Sequence, residues 1–303
     1  MNLMTEWLRE SDNQASLPSV INDLRFITKK KLKVKIEEMR KICRDIIESR
    51  RRHPDTTDDL LNAMLQKIDP ATGESLSEES VIDNIITFLV AGHETTSGLL
   101  SFTLYFLVSH PLAFEKAQKE IDAVVGTGPI TINHLPRLKY LNAVLRETLR
   151  MMPTAPAFVV GPYNDDLIAD KYPVPKGLPI WALLTTIHRD PSVYGLDSNE
   201  WKPERMLDEN FNKLPPNAWK PFGNGKRGCI GRAFAWQESL LVRFPALLMM
   251  RLLRLTHRGG LDHGAPPSEI YFFDGRQGLQ PSNQGDINYQ TRQVSGVRQT
   301  ERL

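Results

Sequence analysis

The 303-residue sequence predicts a mainly α-helical chain of the α+β class with one small region of sheet. Three observations lead there. Apolar residues recur at helical spacing, Pro and Gly close the helical stretches, and one stretch, 153–184, mixes prolines with β-branched residues. At 41% hydrophobic and 24% charged, the composition excludes a fibrous or wholly disordered chain.

The elements follow in order. Leu24–Arg52 carries Leu32, Ile36, Met39, Ile42 and Ile46 on one helical face and ends in three arginines before Pro54. Asp58–Lys67 reads as a short helix, and Asp69–Ser77, with its Pro, Gly and Ser, as a turn. Glu78–Ser109 reads as a long central helix closed by Pro111, and Leu112–Val125 and Leu138–Met151 as two more helices. Short strands and turns are expected over Pro153–Leu184, and a further helix over Arg232–Leu241.

Charge and cysteine usage narrow the function classes. A formal net charge of +2 gives no sign of a nucleic-acid partner. The basic run Lys29–Lys35 is followed by Glu37 and Glu38, and it reads either as a solvated helix face or as a patch for a membrane or a reductase. Two cysteines, Cys43 and Cys229, make no disulfide framework and suit a reducing compartment, so a cytoplasmic location is expected. Ile85–Val108 is long and apolar enough for a membrane span, yet its centre reads GHETTS. A carboxylate there costs roughly 2.5 to 3.5 kcal/mol in a bilayer, so a helix through a protein interior is expected and no transmembrane segment.

Chemistry concentrates in the last third. Phe222–Gly231 reads FGNGKRGCIG, with Gly223, Gly225, Gly228 and Gly231 around Cys229. Such glycines let the backbone pass close to a large flat ligand and bring amides to a sulfur, and a helix starting just after the cysteine favours its thiolate. A buried structural cysteine in a glycine-rich turn is the plainer alternative. A second constellation is AGHETT in the central helix, where Phe88, Ala91, Gly92 and Thr95 share one face. Small residues there leave a groove, and the threonine hydroxyl can bond back to the carbonyl four residues earlier. In the plainer reading Thr95 packs and Glu94 reaches solvent, and His93 is a packing or surface residue. Glu147 and Arg150, in LRETLR, form an i, i+3 pair of a kind common on exposed helices.

Together these motifs resemble the cytochrome P450 family, in the order central helix, ExxR, PERF-like segment (here WKPERM) and cysteine loop, from about Leu24 to Leu241. The wording of AGHETTSGLLSFTLYFLVSHP, PTAPAFVV and KPFGNGKRGCIG is most similar to self-sufficient bacterial and fungal fatty-acid hydroxylases, whose haem domain is fused to a flavin reductase.

The resemblance implies a P450 fold with haem b as cofactor and Cys229 as the thiolate ligand of its iron. It implies that Phe222 packs near the thiolate, that Arg227 pairs with a haem propionate, and that Gly223, Gly231, Ala91 and Gly92 border the cofactor. Thr95 and Glu94 would deliver protons, Phe88 and Ala157 would line the substrate pocket, and Glu147, Arg150 and Arg205 would brace the cysteine loop. His188-Arg189-Asp190 also matches. The implied reaction is RH + O2 + two electrons + two protons giving ROH + water, on a small apolar substrate such as a long-chain fatty acid. Electrons would come from NADPH through a separate FAD/FMN reductase.

Two departures accompany the resemblance. The N-terminal half of a P450 is expected to be missing, so the haem domain over 1–241 is read as partial. That absence is expected to leave the central helix uncovered around Leu99, Phe102 and Phe106. Arg243 and Pro245 fall where the family continues a helix, and the stretch 242–303, polar from Gly259, is expected to be an aberrant, disordered tail. A non-catalytic fragment, and a haem-thiolate peroxygenase or isomerase, are the alternative functions.

Overall fold

The computed structural model describes Glu10 and residues 26–241. The expected break at Arg243 and Pro245 and the tail from Gly259 lie outside the described residues, as does the expected start of the first helix at Leu24.

Helices dominate, with two small antiparallel sheets. Helix α1 spans Phe26–Arg52, α2 Leu60–Gln66, α3 Glu78–Ser109, α4 Pro111–Val124 and α5 Lys139–Met151. Strands β1 (Ala157–Val160) and β4 (Ile180–Leu183) pair with Val159 opposite Trp181, and β2 (Asp166–Ile168) pairs with β3 (Tyr172–Val174). Three single-turn helices follow, α6 (Leu184–Ile187), α7 (Pro191–Tyr194) and α8 (Asp208–Phe211), and residues 232–241 are helical. The sequence reading placed the long helices to within two residues at their ends among the described residues. It did not anticipate the single-turn helices, which are too short for periodicity to register.

Caps explain several boundaries. Asp59 accepts from the Asn62 N–H at the start of α2, and Ser77 accepts from Ser80 at the start of α3, where Glu78 and Glu79 complement the helix dipole. Pro111 sits in the first turn of α4. Helix α5 has no side-chain cap of its own. Instead Glu120, from α4, accepts from the Tyr140 and Leu141 N–H groups at 2.6 and 2.9 Å.

Helix α5 is the buried axis of the fold, with Leu141, Val144, Leu145 and Leu149 nearly inaccessible. A first apolar cluster joins α1, α2 and α3 through Cys43, Ile47, Met64, Val81 and Ile82. Ion pairs Arg40–Glu79, Arg40–Asp83 and Arg51–Glu78 run along the same seam. Lys30, Lys31 and Lys33 of the basic run are exposed.

The expectation of an uncovered central helix around Leu99 and Phe106 is corrected. Leu99 is 2% exposed and Phe106 9%, and the Trp201 ring covers Phe106, stacked on it at 5.1 Å between centroids, nearly parallel. Phe102 is half-buried. Among the described residues, no single helix is long and apolar enough to cross a membrane; α3 and α4 pass only as a pair bent by 112°.

Candidate functional site

The site is anchored on α5. Arg150 and Glu147 have no solvent exposure, and the guanidinium holds both carboxylate oxygens, at 2.7 Å from Nε and 2.8 Å from Nη2. The remaining N–H groups of Arg150 donate to the carbonyls of His188, Ser198 and Glu200 at 2.6–2.8 Å. All five donors of the fork are thereby used. Arg205, in the 3₁₀ turn Pro203–Met206, donates from Nε to Glu147 Oε1 at 3.2 Å and from its two Nη atoms to the Tyr194 and Asp197 carbonyls. The Lys202 N–H adds a third donor to Glu147 Oε1. Burial pushes the Glu147 carboxyl up from its ordinary value, against the pull of Arg150 and the other donors.

From this network the chain reaches the cysteine loop. His188, fully buried, accepts at Nε2 from the Lys220 N–H at 3.0 Å, which places the proton of the neutral ring on Nδ1. Burial lowers its pKa to about 4, while backbone of Leu149 and Arg150 pulls the other way. The Trp219 indole donates to the Arg146 carbonyl of α5 at 3.0 Å.

The loop turns through Gly223 and Gly225, both at φ +63°, a conformation any other L residue would hold under strain. It closes with the Cys229 N–H donating to the Phe222 carbonyl at 2.8 Å. Cys229 is exposed, and a methyl group added at Gly231 would lie 3.9 Å from its sulfur. The Phe222 ring packs on Trp219 and Trp236, and the Arg232 guanidinium lies over Phe222 and Trp219 at 5.6 and 5.9 Å. Arg227 is exposed in the turn Gly225–Arg227. The other cysteine, Cys43, is buried, and desolvation raises its pKa.

This donor set discriminates between kinds of metal centre. Among the described residues no group of three His, Cys, Asp or Glu side chains is placed to hold an ion. A bare zinc-like ion needs three or four protein ligands. One exposed sulfur in a glycine loop at a helix start fits an iron that brings its own macrocycle, as haem does.

On α3, Ala91, Gly92, His93 and Glu94 are exposed and Thr95 is half-buried. Thr95 Oγ1 donates to the Ala91 carbonyl at 2.6 Å, and α3 runs unbroken past it. A methyl group at Gly92 would meet nothing within 4 Å. Phe88 is half-buried against the α1–α2 cluster. Ala157, half-buried, opens β1. Among the described residues no hydrogen bond links the Ala91–Thr95 face to the cysteine loop.

Several contributors escaped the sequence reading. Glu120, Trp219 and Trp236 act through tertiary contacts that no local pattern encodes, and His188 was noted only as a family match. Gly98 has a signal of the same hidden kind: a methyl there would lie 3.1 Å from Thr154 Cγ2, so the glycine lets α3 approach the segment leading into β1.

Comparison with known proteins points one way. A family model described as Cytochrome P450 matches residues 3–251. A self-sufficient cytochrome P450 monooxygenase of Exserohilum turcicum is 59% identical over 239 residues, covering 79% of this chain and 22% of the relative. Proteins of the same description from Penicillium camemberti and Aspergillus kawachii are 56% and 54% identical over 235 residues, each covering 78% of this chain and 22% of the relative. The chain thus spans about a fifth of the length of the curated relatives it matches.

Proposed function

Because this chain belongs to the cytochrome P450 family, we propose that it serves haem-thiolate monooxygenation, with Cys229 as the residue that would hold the haem iron and a long-chain fatty acid as substrate class. The observation that carries the reading is the exposed Cys229 side chain in a glycine loop whose upstream segment is tied through His188 to the buried Glu147–Arg150 pair.

Haem held there would supply the oxygen-activating iron chemistry that monooxygenation needs. Cys229, three residues before the helix that covers 232–241, would hold the iron through its sulfur. Arg227, exposed at the loop's edge, answers a propionate. On α3, Thr95 spends its hydroxyl proton on the Ala91 carbonyl and so keeps its oxygen lone pairs for accepting a hydrogen bond from water. Glu94, exposed one residue away, would pass protons between solvent and a water held at the Thr95 oxygen. Phe88 and Ala157 supply apolar contact for the substrate chain. Electrons come from NADPH through a flavin reductase, in keeping with the self-sufficient description of the relatives.

The test is a reduced carbon-monoxide difference spectrum of the haem-loaded protein, followed by product analysis with laurate under NADPH plus reductase and under peroxide alone. Thiolate-type absorption with NADPH-dependent hydroxylation is expected. Turnover with peroxide only makes the protein a peroxygenase, and an absent thiolate-type spectrum overturns the reading.

A further inference from the structure

The cysteine loop is pinned on both sides to the same helix, each time by an indole. Upstream, Trp219 donates to the Arg146 carbonyl. Downstream, Trp236 donates from Nε1 to Asn142 Oδ1 at 2.6 Å. The two rings meet edge to face at 6.3 Å, and both pack on Phe222, whose carbonyl holds the Cys229 N–H.

The receiving amide is rigidly oriented. Asn142 Nδ2 donates to the Leu138 carbonyl at 2.6 Å and to that of Leu135 at 3.4 Å, so its oxygen is turned outward to the indole. Helix α5 in turn is fixed by the buried Arg150 fork and by the Glu120 carboxylate at its start. Within the loop, 224–227, Cys229 and Ile230 are all exposed. Trp236 lies on the helix that begins at 232, and only Ile230 and Gly231 separate that helix from Cys229, so its rotation is passed to the sulfur through two residues.

We propose that the Trp236 indole and the Asn142 amide form a positioning pair that fixes the rotation of the helix after Cys229, and with it the direction in which the sulfur is presented. This rests on the haem-thiolate reading only for what the sulfur is presented to. The pair is a placement device and takes no part in the chemistry.

Hydrogen exchange of the 303-residue chain, read peptide by peptide, tests the pair without any cofactor. Trp236→Phe keeps the ring against Trp219 and Phe222 and removes one donor. Loop peptides over 222–231 should then exchange about fivefold faster, the loss of roughly one net hydrogen bond, with α3 and α4 peptides unchanged. Asn142→Leu should match it, and the double variant should add nothing. Loop exchange within about twofold of wild type in Trp236→Phe, or an equal rise in α3 and α4, overturns the proposal. A parallel carbon-monoxide spectrum separates the two readings. If wild type lacks thiolate-type absorption while the loop still responds, the cofactor assignment falls and the positioning pair stands.

Discussion

Arg150 Nη1 donates to the carbonyl of His188, and the ring of that same His188 accepts the Lys220 N–H two residues before Phe222. One buried histidine therefore passes the position of the ExxR helix to the cysteine loop, through its backbone on one side and its imidazole on the other. The Glu147–Arg150 pair is the fixed end of that chain. A guanidinium with all five donors used and a carboxylate accepting from three groups leave little freedom for α5 to rotate.

Breaking that pair should be severe. Glu147→Ala leaves the Arg150 charge uncompensated in a site with no solvent access, a loss of about 3–5 kcal/mol. Removing Arg205, which is 15% exposed and keeps contact with water, should cost less. Urea unfolding midpoints should rank wild type above Arg205→Ala above Glu147→Ala, and equal midpoints for the two variants would count against a graded network.

Protonation of His188 should loosen the loop in acid. The folded pKa of about 4 lies below the ordinary 6.5, so the neutral ring is favoured by the fold and the unfolded chain binds the extra proton between those values. The contribution is fully present above about pH 6.5 and is lost as pH falls toward 4, on the order of 3 kcal/mol in all. Arg150 and Arg189 push the same way as burial. His188→Gln, which offers a neutral acceptor, should flatten the difference in stability between pH 5 and pH 7.5 relative to wild type. An unchanged slope would show that other groups set it.

Cys229→Ala should abolish any thiolate-type carbon-monoxide spectrum, because Cys43 is 3% exposed and packed within the α1–α3 cluster. Retention of that spectrum in the alanine variant would move the ligand elsewhere.

What could be read in advance divides by range of interaction. The long helices announce themselves through periodicity and through closing prolines such as Pro54 and Pro111, and the cysteine loop through the spacing of its glycines. The cap on α5 comes from Glu120, and the pins on the cysteine loop from Trp219 and Trp236 reaching Arg146 and Asn142. Those pairs lie 20 to 94 residues apart, beyond any local pattern. Coverage of Phe106 by Trp201 is of the same long-range kind, and the reading of that helix as bare failed for this reason.

One apolar surface that faces solvent lies on the β1–β4 sheet. Val159 and Trp181 are directly paired and are 48% and 62% exposed, and Leu183, on the same face, is 51% exposed. A contiguous patch of large side chains of this kind promotes non-specific association. Trp181→Glu should therefore lower light scattering of the 303-residue chain at a given concentration while changing stability by no more than about 0.5 kcal/mol, as expected of an exposed position. Phe106→Ala, on the covered face of α3, should do the reverse, costing about 3–5 kcal/mol and increasing scattering by exposing the core it leaves. Equal scattering in wild type and Trp181→Glu would assign the association to another surface.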